Sequence, residues 1–152
     1  MIIRRLHHHD AEIAYRVLTR IKFVEDGTEH LRKRLTIEYL QDFLKNNRHY
    51  LLAALDDNTP IGFILAYRLQ RVDRNQAMMF FYEITVVEEY RKKGVGIALI
   101  NKLKEICKQE NILKMFVLTS RSNTAAYNLY KKTGGIPDTA GDEVTFVYHN
   151  FD

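Results

Sequence analysis

The chain has 152 residues, 46% of them hydrophobic, and a formal net charge of +4, so one packed domain over residues 1–152 is expected rather than disorder. The charge is modest and forms no basic stripe, which argues against a nucleic-acid partner. No apolar run is long enough to span a bilayer, the N-terminus lacks a signal-type hydrophobic region, and the single cysteine cannot close an internal disulfide; a cytoplasmic protein without a membrane partner is expected.

Ile2 to Leu6 reads as a short strand. Asp10 is placed to cap a helix reaching about Val24, with Ile13, Val17 and Ile21 at helical spacing, and Glu25-Asp26-Gly27-Thr28 breaks it. A second helix, from about Thr36 to Asn46, carries Ile37, Leu40, Phe43 and Leu44 on one side. Tyr50–Leu55 and Ile61–Leu69 are strands joined by the turn signal Asp56-Asp57-Asn58-Thr59-Pro60. The polar stretch Arg71 to Gln76 leads into a strand from Ala77 to Val87. A helix from about Gly94 to Glu110 buries Val95, Leu99, Leu103 and Ile106. Leu113 to Thr119 is nearly continuous in apolar residues and reads as a central strand. A helix from Asn123 to Thr133 ends at Gly134, and a last strand runs from about Glu143 to Tyr148.

Strand Ala77–Val87, helix Gly94–Glu110 and strand Leu113–Thr119 form a crossover unit, so these two strands should be parallel. The tight turns elsewhere imply antiparallel neighbours. The expected fold is therefore α/β (α+β), a mixed and mostly antiparallel sheet with helices on both faces.

Arg91-Lys92-Lys93-Gly94-Val95-Gly96 opens a helix directly after an apolar strand. Glycines let the backbone approach a ligand closely, and the first amides of a helix point outward at the positive end of its dipole. With three cationic side chains before the turn, this is a pyrophosphate cradle. The spacing excludes a P-loop, which needs four residues between its glycines, and a dinucleotide fingerprint, which needs a small residue where Leu99 stands. The plain alternative is a solvated basic turn. A second segment, Asn123-Thr124-Ala125-Ala126-Tyr127-Asn128-Leu129-Tyr130, continues to Gly134 and puts Ala126, Leu129, Tyr130 and Thr133 on one helical face. Its plain alternative is an amphipathic helix with Tyr130 in the core.

Taken together, and in this order, the two segments resemble the GNAT N-acetyltransferase superfamily over about residues 60 to 150. The resemblance implies two parallel strands splayed to admit the pantetheine arm of acetyl-CoA. It implies that Arg91, Lys92, Lys93, Gly94, Val95, Gly96 and Ile97 hold the pyrophosphate. Ile84, Thr85 and Val86 would lie beside the arm, Asn123 and Ala126 would contact it, and Tyr130 would sit near the thioester sulfur. Tyr82-Glu83-Ile84-Thr85-Val86 followed by Tyr90 to Ile100 is similar to the aminoglycoside 3-N-acetyltransferase branch.

An alkylamine with a pKa of about 10.4 is mostly protonated at neutral pH, and removing its proton costs roughly 4–5 kcal/mol at pH 7. A carboxylate can collect that proton. Many members of the family carry it on the strand before the Asn segment, where this chain has Phe116-Val117-Leu118-Thr119 and no acid. Glu83, in the otherwise apolar run Phe80 to Val86, is the candidate replacement; the alternative is that it faces solvent, since strand side chains alternate. A polycationic acceptor would want further acids. Glu25, Asp26, Glu29, Asp138, Asp142 and Glu143 are the candidates, each with an ordinary solvated loop acid as its alternative.

His7-His8-His9 has no partner at metal-ligand spacing, so no metal is expected. Cys107 reads as a partly buried inert thiol, and the tyrosines either fill the core or line a substrate slot. The expected activity is transfer of acetyl from acetyl-CoA to a primary amine of a small acceptor, an aminoglycoside 3-amino group among them, by direct attack in a ternary complex. The competing readings are a protein or polyamine N-acetyltransferase and a non-catalytic acyl-CoA-binding module. A homodimer is the assembly considered.

Overall fold

The computed structural model describes residues 1–138, 145–149 and 151. Five strands form one sheet in the order β1-β2-β3-β4-β5: β1 (Ile2–Arg5), β2 (His49–Asp56), β3 (Thr59–Leu69), β4 (Met78–Val86) and β5 (Met115–Phe116). The first four pair antiparallel and β4 pairs with β5 in parallel. Helices α1 (Ala11–Val17) and α3 (Ile37–Lys45) pack on one face, with α2 (Phe23–Asp26) ending the helical run that begins at α1, whereas α4 (Val95–Gln109) and α5 (Thr124–Lys132) pack on the other.

Strand alternation divides the core accordingly. Leu51, Ala53, Leu55, Phe63 and Leu65 pack with α1 and α3, while Leu52, Ala54, Ile64 and Ala66 pack with Leu99, Ile100 and Leu103 of α4. The β2–β3 turn has positive φ at Asp57 (48°) and Asn58 (64°), the backbone of a two-residue hairpin whose twist matches its strands. Thr36 caps α3 by accepting from the Tyr39 amide at 3.1 Å.

Three expectations are corrected. Asp10 does not cap its helix; it is buried and accepts from Arg4 and from the His7 amide at 2.9 Å, inside a short 3₁₀ turn. Leu113 to Thr119 is not a central strand. Its ladder holds only Met79 to Met115 and Phe80 to Phe116, at the end of the sheet among the described residues. The reason lies in β4: Leu65 pairs with Glu83 but Ala66 with Phe81, so Tyr82 is an extra residue, and such a bulge bends its strand. The bulge lies two residues past the last ladder pair, and beyond Phe80 and Phe116 the two strands no longer pair. Third, residues 145–148 of the expected last strand are in no strand, and Glu143 lies outside the described residues.

Candidate active site

The bulge decides which way Glu83 points. Met79 and Phe81 face α4 before it, and Ile84 and Val86 face α4 after it, a step of three where strict alternation would give two. Glu83 and Thr85 are thereby sent to the opposite face, across from Leu65 and Phe63. Without the extra residue the carboxylate would enter the α4 core.

On that face the carboxylate is not alone. Its side chain is 20% exposed, and the Lys22 ammonium lies 2.6 Å from Oε1 and 2.9 Å from Oε2. Oε2 takes the hydrogen bond; buried Oε1 has only the ion-pair contact. Lys22 also donates to Asp26 at 2.9 Å. Burial pulls the Lys22 pKa down, but the hydrogen bonds and charges of Glu83 and Asp26 more than offset it, holding the amine protonated. Sequence reasoning missed Lys22. It sits on a π-helical turn, Leu18–Lys22, where the Phe23 amide bonds back five residues to Leu18. The wider turn rotates Lys22 toward the sheet, and nothing in the residue pattern announces it.

Aromatic rings continue the wall. Tyr67 and Tyr82 meet edge to face at 5.8 Å, Tyr82 and Phe80 at 5.7 Å, and Phe80 stacks on Phe116 at 4.9 Å. Burial, then the neighbouring Tyr82 and Glu83, push the Tyr67 hydroxyl above its ordinary pKa. Tyr82, the bulge residue, is exposed. These rings form a continuous aromatic row that ends at Phe80 and Phe116, the last residues at which β4 and β5 pair.

Behind the sheet, Tyr130 of α5 packs edge to face on Phe81 at 5.4 Å, half-buried, and burial pushes its hydroxyl above the ordinary tyrosine value. With Ile100, Cys107, Met115 and Val117 it lines a pocket of about 310 Å³ between α4, β5 and α5. The Cys107 thiol is pushed up to about 11 by burial and then by Glu110, so it stays protonated and inert. Asn123 caps α5, its Oδ1 accepting from the Ala126 amide at 3.2 Å; Nδ2 is not used by the cap.

The turn before α4 has the backbone expected of an anion cradle. Lys92 (φ 59°) and Gly94 (φ 85°) are both left-handed. A Cβ at Gly94 would meet nothing within 4 Å, so the space above it is open. Ala98 is the first amide to bond within the helix, to the Gly94 carbonyl at 3.0 Å, which leaves the amides of Val95, Gly96 and Ile97 at the mouth. Gly96 answers a second demand: a Cβ there would lie 3.2 Å from Leu129 Cδ2, so this glycine also lets α5 close on α4. Tyr90 anchors the turn to the β2–β3 hairpin through Asp56 at 2.7 Å. Arg91 lies over the open edge of β4, donating to the Val86 carbonyl at 2.9 Å and to Glu25 at 3.0 Å.

The candidate substrate acids are thus dispersed. Glu25 pairs with Arg91 and Asp26 with Lys22. Glu29 is exposed at the start of a 3₁₀ turn and Asp138 is exposed after α5, while Asp142 and Glu143 lie outside the described residues. No cluster of three metal-ligating side chains occurs among the described residues, and none of their helices is long and apolar enough to cross a membrane.

The model of the Acetyltransferase (GNAT) family matches residues 12–135. Over 69 residues the chain is 36% identical to streptothricin acetyltransferase A of Bacillus subtilis (strain 168), a match taking in 45% of this chain and 38% of that relative's length. An aminoglycoside acetyltransferase from an uncultured soil metagenomic sample, solved in complex with sisomicin, shares the fold with a TM-score of 0.82. Its identity is 21%, over 99% of this chain and 96% of its own. An aminoglycoside N-acetyltransferase in complex with CoA has a TM-score of 0.71 at 18% identity, over 98% and 93% of the two chains. With the family match running from α1 to the end of the α5 turn, the chain belongs to the acetyltransferase (GNAT) family.

Proposed function

We propose that the protein transfers an acetyl group from acetyl-CoA, the family's donor, to a primary amine by direct attack in a ternary complex in the cytoplasm. The observation that carries this is the two-sided arrangement at β4. Glu83 and the aromatic row face one side of the strand, while Tyr130 and the α4 turn serve the other. The residues present fit the donor: open space over Gly94, outward amides at Val95 to Ile97, and a β4 edge unpaired with β5 beyond Phe80.

Arg91, Lys92, Lys93 and Gly94 to Ile97 hold the pyrophosphate. Arg91 exchanges Glu25 for it at little cost, because an exposed ion pair is worth only about 0–1 kcal/mol. Ile84, Thr85 and Val86 offer their backbone edge to the pantetheine arm, and Asn123 and Ala126 flank it. Acetyl-CoA supplies an acyl group on a thioester with a good leaving sulfur. Glu83 receives one proton of the acceptor ammonium, and the amine nitrogen bonds to the acyl carbon. The carbon–sulfur bond breaks as Tyr130 gives its hydroxyl proton to the departing sulfur, and the second proton lost by the nitrogen restores the tyrosine hydroxyl through solvent.

An aminoglycoside amino group is one acceptor of this class, supported by the look of Tyr82–Val86 and Tyr90–Ile100 and by the sisomicin-bound neighbour. The test is release of free CoA thiol with sisomicin, spermidine and a lysine peptide side by side. Turnover on sisomicin alone supports the aminoglycoside acceptor, and turnover on the others a polyamine or protein acceptor. Acetyl-CoA binding without turnover on any amine would make the chain an acyl-CoA-binding module instead.

A further inference from the structure

Lys22 presents a primary ammonium to the very carboxylate assigned to the acceptor's ammonium, and it holds a second carboxylate at the same time. Nζ lies 2.6 Å from Glu83 Oε1 and 2.9 Å from Asp26 Oδ2. Asp26 is four residues on, along the same helical run, and more exposed than Glu83. A lysine with two acids in reach can leave one without becoming an unpaired charge, because its flexible stem swings while the second bond persists. Glu83 is the long-range partner, fixed in a strand; Asp26 is the local one and moves with Lys22.

We propose that Lys22 is a resident stand-in for the acceptor's ammonium and a specificity-determining residue. It neutralises Glu83 in the free protein and withdraws to Asp26 when an acceptor amine takes its place. This rests on Glu83 being the acceptor-side carboxylate. It explains why a buried Oε1 can be kept beside aromatic rings before substrate arrives: an unpaired buried carboxylate is costly, and Lys22 removes that cost. It also means that every acceptor competes with an internal cation, so the site discriminates against weakly held amines.

Two substitutions should therefore act in opposite directions. Lys22→Met keeps the stem and removes the competitor, and should lower the KM for sisomicin or spermidine roughly three- to tenfold, the range of a partly exposed ion pair, with kcat little changed. Asp26→Asn removes the resting place and leaves Lys22 on Glu83, and should raise KM by a similar factor. Lys22→Arg keeps the charge and should stay near the parent KM. The thermal shift given by acetyl-CoA, measured on each variant, reports that the fold and donor half are intact.

A Lys22→Met variant with unchanged or higher KM, or with collapsed kcat, overturns the proposal and makes Lys22 a support for Glu83. So does a shift of both variants in the same direction. Glu83→Gln is run in parallel. If it behaves as the parent, the assignment of Glu83 fails, whereas loss of activity in Glu83→Gln without a KM gain in Lys22→Met fails this proposal alone. Absence of thiol release from every variant, Lys22→Met included, overturns both.

Discussion

The two sides of β4 are built from different materials. On the α4 side, the proposed donor half is mostly backbone: left-handed residues at Lys92 and Gly94, outward amides at Val95 to Ile97, and an open strand edge, nearly all within one short stretch of chain. On the α1–α3 side, the proposed acceptor half is made of side chains brought from afar. Lys22 reaches Glu83 across 61 positions. A backbone site depends on a few conformations and tolerates changes of side chain around them. A charge-pair site depends on each partner, because removing one leaves the other uncompensated.

Glu83→Gln strikes the acceptor half hardest. Turnover near neutral pH should fall roughly a hundred- to ten-thousandfold if the carboxylate is the base, and the loss should shrink at high pH, where the amine arrives neutral. Steady-state rates against pH check it. Should KM rise with little pH rescue, Glu83 binds the ammonium rather than taking its proton.

Tyr130→Phe tests whether the donor half also needs a side chain. Ring packing on Phe81 survives the change, so stability should hold while turnover drops roughly ten- to ten-thousandfold. Unaltered turnover would leave Tyr130 a packing residue only.

Gly94→Val should remove most of the stabilisation that acetyl-CoA gives by mass action, about 2.7 kcal/mol at a hundredfold excess over Kd. The variant has two reasons to fail: a β-branched residue is strained at φ 85°, and its side chain fills the open approach. Melting with and without the donor reads the effect, which should also weaken with salt. A full thermal shift in a well-folded variant would move the pyrophosphate elsewhere.

Asp10→Asn should leave both halves alone and cost stability only. Burial pushes this carboxyl up, but the His7 amide and the Arg4 guanidinium overcome it and hold it below its ordinary pKa. A depressed acid stabilises the fold above its unfolded pKa of about 3.9 and loses that contribution as pH falls through the folded value. The deficit of the variant, roughly 1–3 kcal/mol at pH 7, should therefore fade below about pH 4. Denaturant melts at both pH values decide it.

The same division governs what is legible in the residue pattern. Elements specified by neighbours can be read there: the Asp57-Asn58 hairpin, the left-handed Gly134 after α5 (φ 96°), and the glycine turn ahead of α4, although the cap expected at Asp10 is not made. Features specified by distant pairing cannot. Leu113 to Thr119 is apolar enough for a central strand, yet only Met115 and Phe116 pair, and the pairing stops just before the bulge at Tyr82. The direction of Glu83 depends on that same extra residue. Lys22 depends on a π turn, which costs one residue of phase and leaves no mark in composition. Glu83 stands out in the sequence as an odd acid in an apolar strand, but spacing alone does not name its partner.

The separation of the two halves is most directly tested by titrating acetyl-CoA into Glu83→Gln and Gly94→Val and measuring thiol release in the same samples. Glu83→Gln should keep the donor Kd within about threefold while turnover collapses; Gly94→Val should weaken the donor by about tenfold or more. Loss of acetyl-CoA binding in Glu83→Gln, or parent-like binding and turnover in Gly94→Val, would contradict a donor site and an acceptor site meeting across β4.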